Sequence, residues 1–586
     1  MVKKWELFLG ATVSLQSIIP LSLLASAEKQ IFASSRVEEL LSQMTLLEKI
    51  GQMTQPNRKA IDRHPEDLYD FGIGSLLSGG DDVPHPNTPA NWLHTVEHYQ
   101  HLAHRSRLQI PLLYGVDAVH GHALVHGAVV FPHNIGLGAT GNEALVQRIG
   151  EATARVVAAT GIHWSFAPAV SVPQDVRWGR TYEGFSDDPL LVDRMGAAMV
   201  RGLQGPYREG EPLIGATLKH FVGDGGTQWG TSRHSDYKID QGNTPVDDDT
   251  IRRIHLRAYE GGLREGVMSV MVSYSRIREM YMHSHRYWIT DVLKGELGFN
   301  GVVVSDWLGV FWQPGTVEDK IAASLQAGID LVMAVDQYDV FIQTAMQLVE
   351  TGRVPMGRID DAVRRILSMK EKLGLLPGDS RKIPSLDAVG SDADRLLARQ
   401  AVRESAVLLK NNDALPLRGE TGSILLLGEA AHNIGKQCGG WTLRWQGVSG
   451  NSIPGTSIFQ GLKENLKAGW ALSYHSHSIP ADQKRMDHAI VVIAEEPYAE
   501  GYGDREDLHL TEEQRQLMLL GHQHAHRTIL IVLSGRPLLL DPATVENADA
   551  IIAAWLPGSE GGSGLAELLL GQAPFTGRLP FRWSLN

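Results

Sequence analysis

The chain has 586 residues, of which 43% are hydrophobic and 21% charged, so it has the composition of a soluble globular protein and the length of two large domains. Its 54 basic and 67 acidic residues give a formal net charge of −13, which disfavours nucleic acid or an anionic membrane as the main partner. The single cysteine, Cys438, excludes an intrachain disulfide and an all-cysteine zinc site.

The N-terminus has the pattern of a signal peptide over residues 1–27. Lys3 and Lys4 precede an apolar stretch from Leu7 to Leu24, and Ala25-Ser26-Ala27 is a small-x-small cleavage pattern. This predicts a secreted or periplasmic protein with no membrane contact after cleavage. An uncleaved anchor is the alternative, although Pro20 weakens a spanning helix.

Residues 35–376 alternate short β-branched runs with helical stretches, the pattern of βα units on a parallel sheet. An eighth strand near Val129–Pro132 would complete a (β/α)₈-type TIM barrel. The other candidate strands are Ile73–Ser78, Pro111–Asp117, His163–Ala167, Ala216–His220, Ser269–Tyr274, Val302–Asp306 and Leu331–Val335.

Four polar residues stand at the carboxyl ends of these strands: Asp117, His220, Tyr274 and Asp306. Barrel enzymes build their active sites on that face, so their shared location predicts one site. Asp306 follows a valine run and precedes Trp307, whose ring could stack on a sugar. The alternative is that Asp306 only caps the next helix.

Cationic side chains accompany this face. Lys219 and His220 end one strand and Arg180 lies in a loop, where positive charges could bind hydroxyl groups and lower the pKa of a carboxylate nucleophile. Ordinary surface ion pairs are the alternative interpretation.

A polar stretch over 377–396, opened by Pro377-Gly378-Asp379, predicts a linker. A second α/β pattern covers 397–586, and one of its strands leads into Glu495-Glu496-Pro497-Tyr498-Ala499-Glu500. The residues alone do not distinguish Glu500 from Glu495 or Glu496 as a functional acid, and acidic loops are often only solvated surface.

Six motifs, in this order along the chain, resemble glycoside hydrolase family 3 enzymes of the β-glucosidase and plant-type β-D-glucan exohydrolase branch. They are Tyr114–Gly121, Arg177–Arg180, Lys219–Phe221, Val304–Trp307, Cys438–Trp441 and Trp555–Ser559.

The resemblance implies a barrel followed by an αβα sandwich, with the active site between them. It implies that Asp306 is the nucleophile and Glu500 the general acid/base. By the same resemblance, Asp117, Arg180, Lys219, His220 and Tyr274 bind the terminal sugar or orient the nucleophile, and Trp307 and Trp445 clamp the next sugar.

Three departures from the family pattern limit what it implies. The loop after Phe221 lacks the Pro-Gly-His-Gly sequence of family N-acetylglucosaminidases, which favours Glu500 as acid/base. The loop Thr227–Asp240 is longer than in the plant enzymes, leaving linkage preference open. Relatives commonly continue beyond the segment that holds Gly577–Pro580, which leaves the completeness of the second domain open.

The expected activity is a retaining exo-acting β-glucosidase or β-D-glucan glucohydrolase that releases terminal β-D-glucose from oligosaccharides or glucans and needs no cofactor or metal. A β-xylosidase or mixed-specificity glycosidase is one alternative, and a secreted non-catalytic carbohydrate-binding protein is another. The oligomeric state stays open.

Overall fold

The structure, a computed structural model, describes residues 33–205 and 214–585. The predicted signal peptide lies outside these ranges. Across the two described ranges, every helix is too short or too polar to traverse a lipid bilayer.

The first half of the chain contains eight parallel strands that contact one another in a cyclic order. The eight strands are β1 (Thr54–Pro56), β2 (Ser75–Ser78), β3 (Leu113–Val116), β4 (Trp164–Ser165), β5 (Thr217–Phe221), β7 (Ser269–Val272), β10 (Val302–Val304) and β11 (Val332–Val335). Ladders join β1 to β11, β10 to β7 to β5, and β2 to β3 to β4. Single parallel bridges lie between these groups: Asn57–Leu77, Trp164–Gly215 and Val304–Leu331.

A small three-stranded sheet stands apart from these eight, formed by β6 (Asn243–Thr244), β8 (Arg276–Ile277) and β9 (Met280–Tyr281). The α-helices of this half are α1 (Ser35–Gln43), α2 (Leu46–Gln52), α3 (Arg58–Ile61), α4 (Asp67–Asp70), α5 (Pro89–Ala103), α6 (Asn134–Thr140), α7 (Glu143–Ala159), α8 (Pro189–Gln204), α9 (Asp248–Thr250), α10 (Glu260–Arg264), α11 (Val317–Ala327), α12 (Tyr338–Glu350) and α13 (Met356–Lys372). This half also contains two π-helical segments, Ile251–Leu256 and Tyr287–Glu296.

The prediction of a strand at Val129–Pro132 is wrong. This buried run is irregular because its backbone serves another contact, in which Val130 exchanges hydrogen bonds with Ser559 of the second half. Of the eight parallel strands, the one that the sequence did not predict is β1, whose Thr-Gln-Pro sequence lacks the apolar signal of a buried strand.

The second half is built on one six-stranded sheet. Its strands are β12 (Val407–Asn411), β13 (Thr421–Leu427), β14 (Gly469–His475), β15 (Met486–Ala494), β16 (Ala525–Leu533) and β17 (Ala550–Trp555); the helices are α14 (Asp392–Ser405), α15 (Ile434–Cys438), α16 (Ile458–Asn465), α17 (Glu512–His524), α18 (Pro542–Asn547) and α19 (Gly561–Leu569). The strand order is β12-β17-β16-β15-β13-β14. All neighbours are parallel except β12 and β17.

Both faces of this sheet are buried. Because side chains alternate along a strand, Ile490 and Val492 of β15 share a core with α14, α16 and α19, whereas Val491 and Ile493 share the larger core that includes α17 and the first half. The segment between the halves is largely irregular, and α14 begins at Asp392, before the predicted end of the linker at 396.

Candidate active site

A cavity of about 410 Å³ lies between the two halves of the chain, within the usual size range of small-molecule sites. Its walls include every residue that the sequence analysis assigned to the site: Asp306, Glu500, Asp117, Arg180, Lys219, His220, Tyr274, Trp307 and Trp445. The first-half members other than Arg180 follow or end β3, β5, β7 and β10, as predicted, because the carboxyl ends of parallel strands meet on one side of the sheet.

Asp306 presents one committed and one free carboxylate oxygen. The backbone N–H of Trp307 donates to Oδ1 at 2.7 Å, and the Asp306 N–H donates to His283 Nε2 at 3.1 Å. Oδ2 is buried and has no hydrogen-bond partner among the described residues, and His220 Nε2 lies 3.9 Å from it. An unpaired buried carboxylate oxygen facing a cavity is the arrangement of a nucleophile that awaits a substrate carbon.

His220 connects Arg180 to Asp224, a residue that the sequence analysis did not assign. Arg180 can only donate, so its Nη2, at 3.1 Å, requires His220 Nε2 to accept, which leaves Nδ1–H to donate to Asp224 Oδ2 at 3.0 Å. Burial lowers the pKa of His220 well below its usual value, as do the charges of Arg180 and Lys219. The sequence predicted that Lys219 and His220 are both cationic. This prediction is wrong for His220, which is neutral.

The two remaining cations are each held by a carboxylate and lie near the ring of Trp441. Lys219 Nζ donates to Asp117 Oδ1 at 2.9 Å, and Arg180 Nη2 donates to Glu183 Oε2 at 2.8 Å. Trp441 Nε1 donates to Glu183 Oε1 at 3.1 Å. The centre of the indole ring lies 5.6 Å from Lys219 Nζ and 6.0 Å from the Arg180 guanidinium. Trp441 stands in a motif that carried the family resemblance, but the sequence analysis assigned no role to it or to Glu183.

The three candidate glutamates of the second half have different surroundings. Glu495 Oε2 accepts from Tyr498 Oη and from the Gly535 N–H, and its Oε1 pairs with Arg536 at 3.3 Å. The Glu496 side chain is 70% exposed and pairs with Lys436. Only Glu500, of these three, lines the cavity that contains Asp306, and it lies 3.5 Å from Arg180 Nη1.

Burial raises the pKa of both carboxyl groups, and Arg180 opposes it in both. Burial raises the pKa of Glu500 to about 8; Arg180 opposes this, while Asp240, Asp306 and Glu183 add to it. Burial also raises the pKa of Asp306, against the expectation of a lowered value, but Arg180, the Trp307 N–H, Lys219 and Tyr274 all favour its ionised form. A pKa of about 8 lets the Glu500 carboxyl keep its proton at neutral pH, as a proton donor requires.

Aromatic rings form the mouth of the cavity. Trp307 packs against Gly79, where an added Cβ would stand 2.7 Å from the indole. The backbone N–H of Trp445, in the second half, donates to Asp81 Oδ1 of the first half at 2.9 Å. Trp445 contacts Tyr502 edge-on at 5.6 Å, and Tyr274 packs against Trp312 at 5.0 Å. Such faces suit the apolar sides of sugar rings.

The long loop Thr227–Asp240 forms part of the same wall. His234 and Tyr237 line the cavity and stack at 4.2 Å, and Arg233 lies 4.2 Å above the ring of Trp312. The loop thus contributes side chains directly to the wall of the cavity.

A larger, more open groove of about 790 Å³ lies on the second half and shares Trp445 and Tyr502 with the cavity. Its charged side chains are mostly paired with one another, as Lys436 is with Glu429 and Glu496. It contains neither Asp306 nor Glu500 among its lining residues, so the smaller cavity is the candidate active site.

Known proteins resemble this chain over both halves. A lysosomal beta glucosidase from Dictyostelium discoideum is 34% identical, covering 94% of this chain and 72% of that protein. A periplasmic beta-glucosidase from Salmonella typhimurium is 28% identical, covering 98% and 78%. The crystal structure of an exo-1,3/1,4-beta-glucanase from a Pseudoalteromonas species superposes with a TM-score of 0.87 at 39% identity, covering 95% and 72%.

Two family descriptions match nearly the whole chain. The glycosyl hydrolase family 3 N terminal domain matches residues 45–369, and the family 3 C-terminal domain matches residues 406–586. Together with the cavity between the two halves and its pair of carboxyl groups, these matches make the chain a member of glycosyl hydrolase family 3 and a glycoside hydrolase.

Proposed function

We propose that the chain is a retaining, exo-acting β-glucosidase or β-D-glucan glucohydrolase that removes terminal non-reducing β-D-glucose from oligosaccharides or glucans. The observation that carries this proposal is the pairing of Asp306 and Glu500 in one cavity, the first with a free buried oxygen and the second with its pKa raised to about 8. The beta-glucosidase and exo-beta-glucanase relatives support the same substrate class.

In the first step, Asp306 Oδ2 forms a bond to the anomeric carbon while the Glu500 carboxyl donates its proton to the glycosidic oxygen, and the leaving alcohol departs. The Trp307 N–H holds Oδ1, which leaves Oδ2 as the attacking atom. In the second step, Glu500 accepts a proton from water, the hydroxyl oxygen bonds to the anomeric carbon, and Asp306 is released. The configuration is retained because the carbon is inverted twice.

The remaining polar groups bind the terminal sugar. Lys219, Asp117 and Arg180 offer charged donors and acceptors to hydroxyl groups, and their ion pairs hold them in place before substrate arrives. Trp307 and Trp445 are assigned to the next sugar, at the mouth. The exo-1,3/1,4-beta-glucanase relative supports exo-acting cleavage at a chain end.

The architecture that we infer is a (β/α)₈-type barrel over 35–376, a linker over 377–396 and an αβα sandwich domain over 397–586. The cyclic contacts of the eight parallel strands and the two-sided burial of the second sheet support this division. We also propose a secreted or periplasmic location, which the signal-peptide pattern at 1–27 and the periplasmic and lysosomal relatives support.

A panel of aryl β-glycosides tests this function. The 4-nitrophenyl β-D-glucoside should be cleaved with the best kcat/KM, and NMR should detect the β-anomer of glucose as the first product. Preferred cleavage of the β-xyloside would favour the xylosidase alternative. Binding of glucans without any release of sugar would identify a non-catalytic carbohydrate-binding protein.

A further inference from the structure

The turn that carries Glu500 has an unfavourable backbone conformation that contacts with other segments stabilise. Residues Glu500–Gly503 form one 3₁₀ turn, and Glu500 itself has a φ of +55°, in the left-handed region that favours glycine. A non-glycine residue remains there when its surroundings fix it. The contacts that fix this turn come largely from the first half of the chain.

Asp504, directly after the turn, makes the most concentrated of these contacts. Its Oδ1 accepts from the Gly179 N–H at 2.9 Å, next to Arg180. Its Oδ2 accepts from three successive backbone N–H groups, those of Lys238, Ile239 and Asp240, at 2.8–2.9 Å. One carboxylate therefore ties the turn to two loops of the first half that both reach the cavity.

The backbone closes around this carboxylate. The Asp504 N–H donates to Gly501 O at 3.0 Å, which closes the turn on itself, and the Arg505 N–H donates to Arg177 O at 3.0 Å. Gly179 approaches so closely that a Cβ there would stand 1.9 Å from the Glu500 carbonyl oxygen. The two halves thus meet backbone to backbone at the proton donor.

The loop that Asp504 binds also packs directly against the turn. Tyr237 precedes Lys238, and its ring lies where a Cβ on Gly501 would come within 2.1 Å. Loss of the Asp504 carboxylate would leave three adjacent N–H groups without their acceptor and would release both the loop and the turn.

We propose that Asp504 is a positioning residue for the acid/base: by fastening the Glu500 turn to the loops at Gly179 and Lys238–Asp240, it holds the Glu500 carboxyl opposite Asp306. The inference rests on the proposed function, because it needs Glu500 to be the proton donor. Asp504 is not among the residues that line the cavity, so it acts through Glu500.

This role has a kinetic signature that a general loss of stability lacks. A proton donor matters for a poor leaving group and hardly at all for a good one, since 2,4-dinitrophenolate departs without protonation. A displaced Glu500 should therefore slow cleavage of glucose disaccharides while nearly sparing 2,4-dinitrophenyl β-D-glucoside. Azide, which attacks the glycosyl-enzyme without a base, should then accelerate the second step.

The experiment compares wild type with Asp504→Ala, Asp504→Asn, Glu500→Ala and Asp507→Ala. Asp507 is the matched control, an exposed aspartate in the same loop whose carboxylate bonds His509. For each protein, kcat and kcat/KM are measured on a β-1,3-linked glucose disaccharide and on 2,4-dinitrophenyl β-D-glucoside, with and without azide, alongside the thermal midpoint.

We expect Asp504→Ala to lose about 100-fold in kcat/KM on the disaccharide and less than about fivefold on the dinitrophenyl glucoside. On the dinitrophenyl glucoside, azide should raise kcat of Asp504→Ala as it does for Glu500→Ala. Asp504→Asn, which keeps the shape of the side chain, should show a smaller loss with the same selectivity, and Asp507→Ala should match wild type. Equal losses on both substrates, or no loss, would overturn the role of Asp504. A wild-type protein without glucosidase activity would instead overturn the proposed function, and this inference with it.

Discussion

Glu500→Gln should make the folded protein more resistant to alkaline pH. The folded state raises the pKa of Glu500 from 4.5 to about 8, so between these values it keeps a proton that the unfolded chain releases. The unfolded state then binds fewer protons, and the free energy of unfolding falls as pH rises through this window. The loss begins near pH 4.5 and is complete above about pH 8.

The size of this effect follows from the same pKa values. At about 1.4 kcal/mol for each tenfold change in proton affinity, the rise from 4.5 to about 8 costs up to about 5 kcal/mol at high pH. Glutamine has no proton to lose, so Glu500→Gln removes this cost while keeping nearly the same shape. The variant should gain stability over wild type as pH increases.

Thermal midpoints measured from about pH 5 to about pH 9 would check this prediction. We expect the midpoint of Glu500→Gln minus that of wild type to increase by about 3 °C across the range. Glu506→Gln, at an exposed position of the same loop, is the control and should show a constant difference. A constant difference for Glu500→Gln as well would refute the conclusion that the folded state keeps Glu500 protonated.

The other predictions concern catalysis. Asp306→Asn should lower kcat on 4-nitrophenyl β-D-glucoside by at least about 10⁴-fold without shifting the thermal midpoint downward, because the amide is a poor nucleophile; retention of full activity would transfer the role elsewhere. Trp445→Ala should lower kcat/KM for glucose disaccharides about tenfold and leave methyl β-D-glucoside nearly unchanged, since stacking of the second sugar is lost; equal effects on both substrates would contradict the assignment to the next sugar. Asp240→Asn removes a carboxylate that raises the pKa of Glu500, so the alkaline limb of the pH profile of kcat/KM should move to lower pH. Asp236→Asn, on the exposed part of the same loop, is the control and should leave the limb in place. A limb that stays or moves to higher pH in Asp240→Asn would count against this coupling.

The sequence was most informative where a polar residue ends or follows an apolar strand. Asp117, His220, Tyr274 and Asp306 all line the cavity because strand direction alone brings their positions to one side of the sheet. The same rule failed for β1, a short polar strand, and for Val129–Pro132, an apolar run that packs against the second half. The apolar composition of a segment therefore predicted that it is buried, but not which segment its backbone bonds to.

The functional acid of the second half could not be chosen from its neighbours by pattern. Glu495 and Glu500 both lie near cations. The Glu495 carboxylate accepts hydrogen bonds from Tyr498 and Gly535 and pairs with Arg536, whereas Glu500 reaches the cavity from a residue with left-handed backbone. Contacts between segments far apart in the sequence decide which glutamate reaches the cavity. Such contacts also bring Trp441 to Glu183. The family resemblance selected Glu500, and the cavity lining supplies the physical reason.

Trapping of the glycosyl-enzyme tests the central claim most directly. A 2-deoxy-2-fluoro-β-D-glucoside with an activated leaving group should inactivate the protein, add the mass of one fluoroglucosyl group, and label only the peptide that contains Asp306, on that side chain. Labelling of a different carboxylate, or inverted product with no covalent adduct, would contradict the account.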